Sequence, residues 1–158
     1  MFYFEIFKSP LGPMGLLADG QHLLRCDFQD GLRPVLPPEE HGGGNALTRN
    51  ACEQLARYFT GQGARLNIPL LTKGTPFQQQ VWAAIAQIPP GKTSSYSDIA
   101  KTLNKPSAVR AIASACGRNP LCLFIPCHRI VGKHGALSGY VAGIEFKQQL
   151  LNLEKTYV

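Results

Sequence analysis

Apolar and polar positions along the first 28 residues form short runs separated by turn-forming clusters. Met1 to Lys8 alternates in character, and Ser9-Pro10-Leu11-Gly12-Pro13 and Asp19-Gly20 interrupt the apolar runs, a pattern that predicts an antiparallel β meander. Residues 31–44, rich in Pro, Gly and Glu with Pro37-Pro38 and Gly42-Gly43-Gly44, predict a loop. Within 46–60, Leu47, Ala51, Leu55 and Tyr58/Phe59 recur at three- and four-residue spacing and Gly61 supplies a stop, so a helix is expected there. Leu66 to Leu71 reads as one more strand.

The second half switches to helical periodicity. Thr75-Pro76 offers an N-cap followed by proline at the first helical position, Phe77, Val81, Trp82 and Ile85 make an apolar stripe, and Pro89-Pro90-Gly91 ends it. Ser95-Tyr96-Ser97-Asp98 resembles a capping box opening a short helix to about Leu103, and after Asn104-Lys105-Pro106-Ser107 the pattern resumes from Ala108 to Cys116. Two short helices joined by such a turn have the outline of a helix-turn-helix, an outline any helical hairpin shares. Leu121-Cys122-Leu123-Phe124-Ile125 is apolar throughout and reads as a buried strand or extended segment. A glycine-rich loop, 132–143, leads to a last helix from Ile144 to about Leu153, with Phe146, Leu150 and Leu153 on one face.

Composition narrows the class. With 158 residues, 44% of them hydrophobic and 16% charged, the chain suits one ordinary domain or two small ones. No uncharged apolar run approaches the roughly 18 residues of a membrane span, so no membrane role is expected. The net charge of +6 is unevenly placed: residues 1–74 hold seven Lys/Arg and seven Asp/Glu, whereas 75–158 hold nine and three. The whole excess lies in the second half, which points to an anionic partner there, nucleic acid first.

Five cysteines, Cys26, Cys52, Cys116, Cys122 and Cys127, form no CxxC pair and make a disulfide scaffold improbable in a chain of this size. The N-terminus reads as a strand and lacks the basic start of a signal peptide, so a reducing, cytoplasmic setting is expected, or a nuclear one in a eukaryote. A nucleophilic cysteine needs thiolate character, supplied by a nearby cation, a histidine or a helix N-terminus. Cys127, preceded by Pro126 and followed by His128 and Arg129, is the cysteine with such neighbours; the alternative is a buried packing cysteine. His22, His41, His128 and His134 do not pair with the cysteines at zinc-site spacings.

Ile125-Pro126-Cys127-His128-Arg129-Ile130, preceded by Gly117-Arg118-Asn119-Pro120 and followed by Leu137-Ser138-Gly139-Tyr140 and Leu150-Leu151-Asn152-Leu153-Glu154, resembles the active-site domain of the O6-alkylguanine-DNA alkyltransferases. The likeness extends upstream through Phe77 to Trp82, Ile88-Pro89-Pro90-Gly91-Lys92-Thr93 and Ser95-Tyr96, covering about residues 74 to 155. It implies an α+β fold: a β-rich N-terminal domain, 1–73, packed on a mostly helical C-terminal domain, 74–158, containing a helix-turn-helix.

The activity implied is single-turnover repair, in which a thiolate takes the alkyl group from O6-alkylguanine, and from O4-alkylthymine, as a permanent thioether. By resemblance Cys127 is the acceptor, His128 deprotonates it through a water, Glu154 orients the histidine, Asn119 braces the turn and Tyr96 serves the departing base. A guanine inside a duplex must be flipped out before a buried thiol can reach it. Arg110, among small neighbours, fills the vacated stack from the minor groove, with Ala111, Ser95, Arg118 and Arg129 as further DNA contacts. Its helix has few side chains able to read base edges, which fits a repair protein better than a sequence reader. Tyr140, Val141, Ala142 and Ile130 are expected to form the pocket. The partner is double-stranded DNA carrying alkylated bases; a monomer is expected, with room for cooperativity on DNA.

One departure from the family pattern stands out. Gly-Tyr-x-Gly-Gly is common where this chain has Gly139-Tyr140-Val141-Ala142-Gly143, and Ala142 adds a methyl and restricts φ at the pocket rim. Some members hold a structural zinc in the N-terminal domain; no ligands for one are identifiable here, and neither metal nor cofactor is expected. Two other functions fit parts of the pattern. A lesion-binding module without chemistry would lack Cys127, and a cysteine hydrolase would leave the Arg110 helix and the basic half unexplained.

Overall fold

A computed structural model describes residues 1–62, 65–132, 135 and 143–156. The chain forms two compact units, one of residues 1–72 with 120–124, the other of 73–119 with 125–158. The sequence alone assigns 120–124 to the second domain, whereas the backbone returns this segment to the first unit.

In the first unit, strands β1 (Tyr3–Ser9), β2 (Gly12–Ala18) and β3 (Leu23–Phe28) form an antiparallel meander in the order β1-β2-β3. Ser9 pairs with Gly12 across the first turn, and Gly12 takes the positive φ of 122° that the tight reversal requires. Both outer edges of the sheet are met by isolated parallel bridges. Gly42 bridges Tyr3 on β1, and Leu70 and Leu121 bridge Leu23 and Cys26 on β3. Such short contacts satisfy edge donors and acceptors without extending the sheet.

Residues 66–71 therefore do not form the expected strand. Pro69 has no N–H to give to a ladder, and the segment meets β3 where the Leu23 N–H donates to the Pro69 carbonyl and the Leu71 N–H to that of Leu23, while the Gln54 amide accepts from the Asn67 N–H and donates to its carbonyl. Nor is 121–125 a continuous strand: Leu123 has φ 71°, a left-handed conformation that breaks extension after a single bridge. Helix α1 (Ala46–Phe59) opens on a full capping box, with Asn45 accepting from the Thr48 N–H and Thr48 from that of Asn45. Its inner face carries Ala51, Leu55 and Tyr58, three of the positions picked out by the periodicity.

The second unit is built on helices. In α2 (Pro76–Ile85), Thr75 and Gln78 complete a capping box around the N1 proline, an arrangement that typically contributes about 1 kcal/mol. Val81, Trp82 and Ile85 are buried, and the Trp82 indole donates to the Ala115 carbonyl at 2.9 Å. That bond ties α2 to α4 (Val109–Gly117), which follows α3 (Tyr96–Thr102) through a turn where Asn104 takes φ 56°. Asparagine tolerates this region better than other non-glycine residues, so the Asn104-Lys105 turn is locally encoded. Before α3, β4 (Ser94–Ser95) pairs in parallel with β5 (Ile130–Val131), joining the helix pair to the segment that follows Cys127. Helix α5 (Ile144–Lys155) closes the unit.

Its inner face differs from the expected one. Phe146 and Leu153 are only half-buried, and the buried residues are Lys147, Leu150 and Glu154. The helix is rotated so that two charges, rather than two apolar side chains, flank Leu150. Among the described residues no helix is long and apolar enough to cross a membrane.

Candidate active site

The chain turns sharply at Pro126. With φ fixed near −82° and ψ at 64°, and with the Cys127 N–H donating to the Ile125 carbonyl at 2.8 Å, it makes an inverse γ-turn. A single 3-10 turn, Cys127–Arg129, follows, closed by the Arg129 N–H on the Pro126 carbonyl. The proline ring preorganises this reversal, which delivers three consecutive functional side chains into a buried environment.

Asn119 holds the turn from the far side. Its Nδ2 donates to the Ile125 carbonyl at 2.8 Å and to Cys127 Sγ at 3.2 Å, while its own N–H donates to the Cys116 carbonyl. One side chain thus fixes both the backbone before the cysteine and the sulfur itself.

His128 and Glu154 are fully buried, and Nε2 of the histidine lies 2.6 Å from Glu154 Oε2. Burial holds His128 below its ordinary 6.5 even though the Glu154 hydrogen bond and charge pull the other way, so the ring is neutral at neutral pH. A neutral imidazole donating Nε2–H to the carboxylate has Nδ1 as its basic nitrogen. Burial alone would raise the Glu154 carboxyl, yet hydrogen bonds and charge from His128 and Arg129 bring it down to about 2. Arg129 clamps it with both arms: Nε reaches Oε1 at 2.8 Å and Nη2 reaches Oε2 at 2.8 Å, while Nη1 donates to the Ile88 carbonyl. The carboxylate is therefore ionised at neutral pH and held in one orientation.

This geometry corrects the assignment of Arg129 to DNA. Arg129 is 6% exposed and its three guanidinium nitrogens are engaged inside the unit, so it supports Glu154. Ile130, expected in the pocket, is wholly buried on β5 and belongs to the core. Tyr140, Val141 and Ala142 lie outside the described residues. Ser95 is the N-cap of α3, its hydroxyl accepting from the Asp98 N–H at 3.0 Å, and Tyr96 is the first residue of that helix, half-buried. Arg110 and Ala111 stand exposed on the first turn of α4, with Ala113 and Ser114 beside them, and Arg118 is exposed just past its end.

Two residues beside Cys127 were not among the site residues expected from the sequence. Lys147, 1% exposed, has the charges of Cys116 and Cys127 as its neighbours; burial pulls its ammonium below 10.5 and the two thiols pull it back up. Cys116 lies in the last turn of α4, and the Cys127 side chain, aided by Lys147, holds its thiol below the ordinary value against burial. A cation among thiols favours thiolate. The signal for Lys147 was its spacing: with Leu150 and Glu154 it forms an i, i+3, i+7 set on one face of α5.

Cys26 and Cys52 are shifted the other way. Burial pushes the Cys26 thiol well up, and burial with the Glu5 carboxylate pushes Cys52 up to about 12. Among the described residues no group of three or more His, Cys, Asp or Glu side chains could hold a metal ion.

Comparison with known proteins gives concordant matches over both units. Residues 76–156 match the family described as 6-O-methylguanine DNA methyltransferase, DNA binding domain, and residues 2–72 match its ribonuclease-like domain. A methylated-DNA–protein-cysteine methyltransferase of Methanosarcina acetivorans is 39% identical over 152 residues, covering 96% of this chain and 97% of the relative. A constitutive methylated-DNA–protein-cysteine methyltransferase of Bacillus subtilis is 39% identical over 161 residues, covering 98% and 96%. The crystal structure of Mycobacterium tuberculosis OGT in complex with DNA superposes with a TM-score of 0.89 at 35% identity, covering 99% of this chain and 94% of that one.

Proposed function

The chain belongs to the 6-O-methylguanine DNA methyltransferase family, DNA-binding repair enzymes that move a methyl group from DNA to a protein cysteine, and on that premise we propose that Cys127 is the acceptor. The observation that carries this assignment is the buried, hydrogen-bonded series His128–Glu154–Arg129 that begins at the residue after Cys127, with Asn119 on the sulfur.

In this reading His128 accepts the Cys127 proton at Nδ1 through a water while Glu154 holds Nε2–H and stabilises the imidazolium that forms. Arg129 keeps Glu154 ionised. Lys147 compensates the thiolate charge, a role its burial makes effective because screening is weak there. The thiolate attacks the methyl carbon, the carbon–O6 bond breaks, and the sulfur keeps the methyl as a thioether. The guanine leaves as an anion that must gain a proton or a hydrogen bond, which we assign to Tyr96. Neither His128, Glu154 nor Lys147 can cleave a thioether, so in this reading each molecule acts once.

Access requires the base to leave the duplex, at a cost of a few kcal/mol. Arg110 projects from the exposed, small-residue face of α4, which suits insertion into the vacated stack from the minor groove, and the same pocket would accept O4-alkylthymine. Basic residues on this unit's surface support a phosphate footprint. Lys92, Lys101, Lys105, Arg110, Arg118 and Lys155 are exposed, against exposed Asp98 and Glu145, so the positive excess persists once buried Arg129, Lys147 and Glu154 are set aside.

The test is stoichiometric. Mixed with duplex DNA containing O6-methylguanine, the protein should gain one methyl in the peptide that contains Cys127, once per molecule, by intact mass and peptide mapping; a duplex with O4-methylthymine tests the second substrate. Cys127→Ala should bind the damaged duplex and repair nothing. Unchanged mass with binding retained would identify a lesion-binding module, and repeated turnover a different enzyme.

A further inference from the structure

A helix leaves its last carbonyls without helical partners, and at the end of α4 two of them are bound from different directions. The Ala115 carbonyl accepts the Arg118 N–H at 3.1 Å and the Trp82 indole N–H at 2.9 Å, while the Cys116 carbonyl accepts the Asn119 N–H at 3.2 Å. Ala115 is buried, where bulk solvent does not replace a lost donor. From the same turn Asn119 sends Nδ2 to Cys127 Sγ at 3.2 Å and to the Ile125 carbonyl at 2.8 Å. The indole therefore stands at one end of a hydrogen-bonded series that runs through the last turn of α4 to the sulfur.

Trp82 is the single tryptophan of the chain and is buried on α2. Its ring is fixed at both ends. The nitrogen is on Ala115, and the opposite edge lies against Gly74, where an added Cβ would come within 2.8 Å of Trp82 Cη2 and Cζ3. Carbons pack at about 3.5–4.0 Å, so glycine at 74 is what lets the ring lie there. The apolar stripe of α2 asks only for bulk at position 82, and tryptophan adds a donor to it.

We propose that Trp82 is a positioning residue for the Cys127 thiolate: its N–H holds the end of α4 in the register that puts the Asn119 amide on the sulfur. An amide donating to sulfur favours the charged form over the thiol, so whatever keeps the amide in place also favours the thiolate. The competing account is an indole that fills the space between α2 and α4 and does nothing more.

The link to repair rests on Cys127 being the acceptor, so thiolate and acceptance are measured separately. Iodoacetamide alkylation of the full chain, followed at Cys127 by peptide mass across pH, reads the thiolate without DNA. Methyl acceptance from O6-methylguanine duplex reads repair. Trp82→Phe keeps an aromatic ring and removes the N–H. Its alkylation profile should move to the alkaline side by about half a unit, roughly a threefold loss of rate at neutral pH, with methyl acceptance falling in parallel. Asn119→Ala should move the profile the same way, and adding Trp82→Phe to it should move it no further. A folded Trp82→Phe with a lowered melting temperature and an unchanged profile returns the indole to packing and overturns the proposal, as do shifts that add in full in the double variant. Should Trp82→Phe not fold by circular dichroism, Gly74→Ala displaces the ring from its far edge. An alkaline shift that is absent in the Asn119→Ala background then supports the proposal, and tryptophan emission that moves while the profile stays overturns it. If Cys127→Ala still accepts methyl, the acceptor assignment fails while the alkylation profiles stand.

Discussion

Helices α4 and α5 use their inner faces for opposite purposes. On α4 the buried residues are Ile112, Ala115 and Cys116, and the one charged residue, Arg110, is exposed. On α5 the buried set is Lys147, Leu150 and Glu154, while Ile144 stands 52% exposed. The first follows the ordinary rule for an amphipathic surface helix; the second violates it with two charges. Burying a charge costs several kcal/mol unless partners compensate, so partners must be found, and they are the site itself: His128 and Arg129 for Glu154, the two thiols for Lys147. The difference teaches where to look. A helix that keeps its charges outside presents a surface to a partner, and one that buries them is built around chemistry.

The comparison breaks most visibly at Glu154. Glu154→Gln leaves Arg129 buried without its counter-charge, and loss of one member of a buried pair costs about 3–5 kcal/mol. Denaturant unfolding should show that loss, whereas Glu145→Gln on the exposed side of α5 should stay within about 0.5 kcal/mol. Acid should trace the same network. Because His128 is held below its usual 6.5, the unfolded chain takes up a proton there that the native chain resists, so stability present above 6.5 drains away as pH falls below it. A second loss follows between 4.5 and about 2, as protons compete for Glu154. In Glu154→Gln the second loss should disappear; its persistence would mean that another carboxylate carries the acid limb. The Glu154 contact also raises His128, so the variant's histidine should titrate lower still, by NMR.

Lys147 sharpens the comparison at a smaller scale. Lys147→Met replaces a desolvated charge by an apolar side chain of similar length, so unfolding should change little or become harder. Methyl acceptance should nonetheless fall by about tenfold for each unit by which the thiolate loses stabilisation. Its pH profile should shift to the alkaline side, which a merely structural lysine would not cause. An unchanged profile would remove Lys147 from the thiolate's surroundings.

Much of this was legible in the sequence, for reasons that differ by region. The meander, α1, α2 and the helix pair follow from local chemistry: turn residues, caps and apolar spacing specify them within a residue or two. Residues 66–71 and 121–125 were not legible, because their apolar runs look like strands while Pro69 and the left-handed Leu123 limit each to bridging contacts. At the site, the Pro126-Cys127-His128 motif and Glu154 were visible by resemblance. The buried role of Arg129 was hidden because arginine beside the candidate acceptor cysteine in a basic half reads naturally as a phosphate contact. Lys147 and Cys116 were hidden for a deeper reason: their meaning arises only when α4 and α5 bring them to the same sulfur.

The smallest effect on the fold should come from the charge that α4 leaves outside. Arg110→Ala removes an exposed side chain from a face of alanines, and its unfolding free energy should match that of the unaltered chain within about 0.5 kcal/mol. Its cost should appear only on DNA. If Arg110 fills the stack vacated by the flipped base, each ~1.4 kcal/mol of stacking no longer compensated slows repair of a duplex about tenfold. Single-stranded DNA has no such stack to restore, so the same variant should repair it at close to the normal rate. A phosphate contact behaves differently: it would weaken both substrates and lower the salt dependence of duplex binding by about 0.9 log units per log unit of salt. Measuring both substrates at two salt concentrations therefore separates insertion from attraction, and equal losses on the two would return Arg110 to the phosphate footprint it shares with Lys101, Lys105 and Arg118.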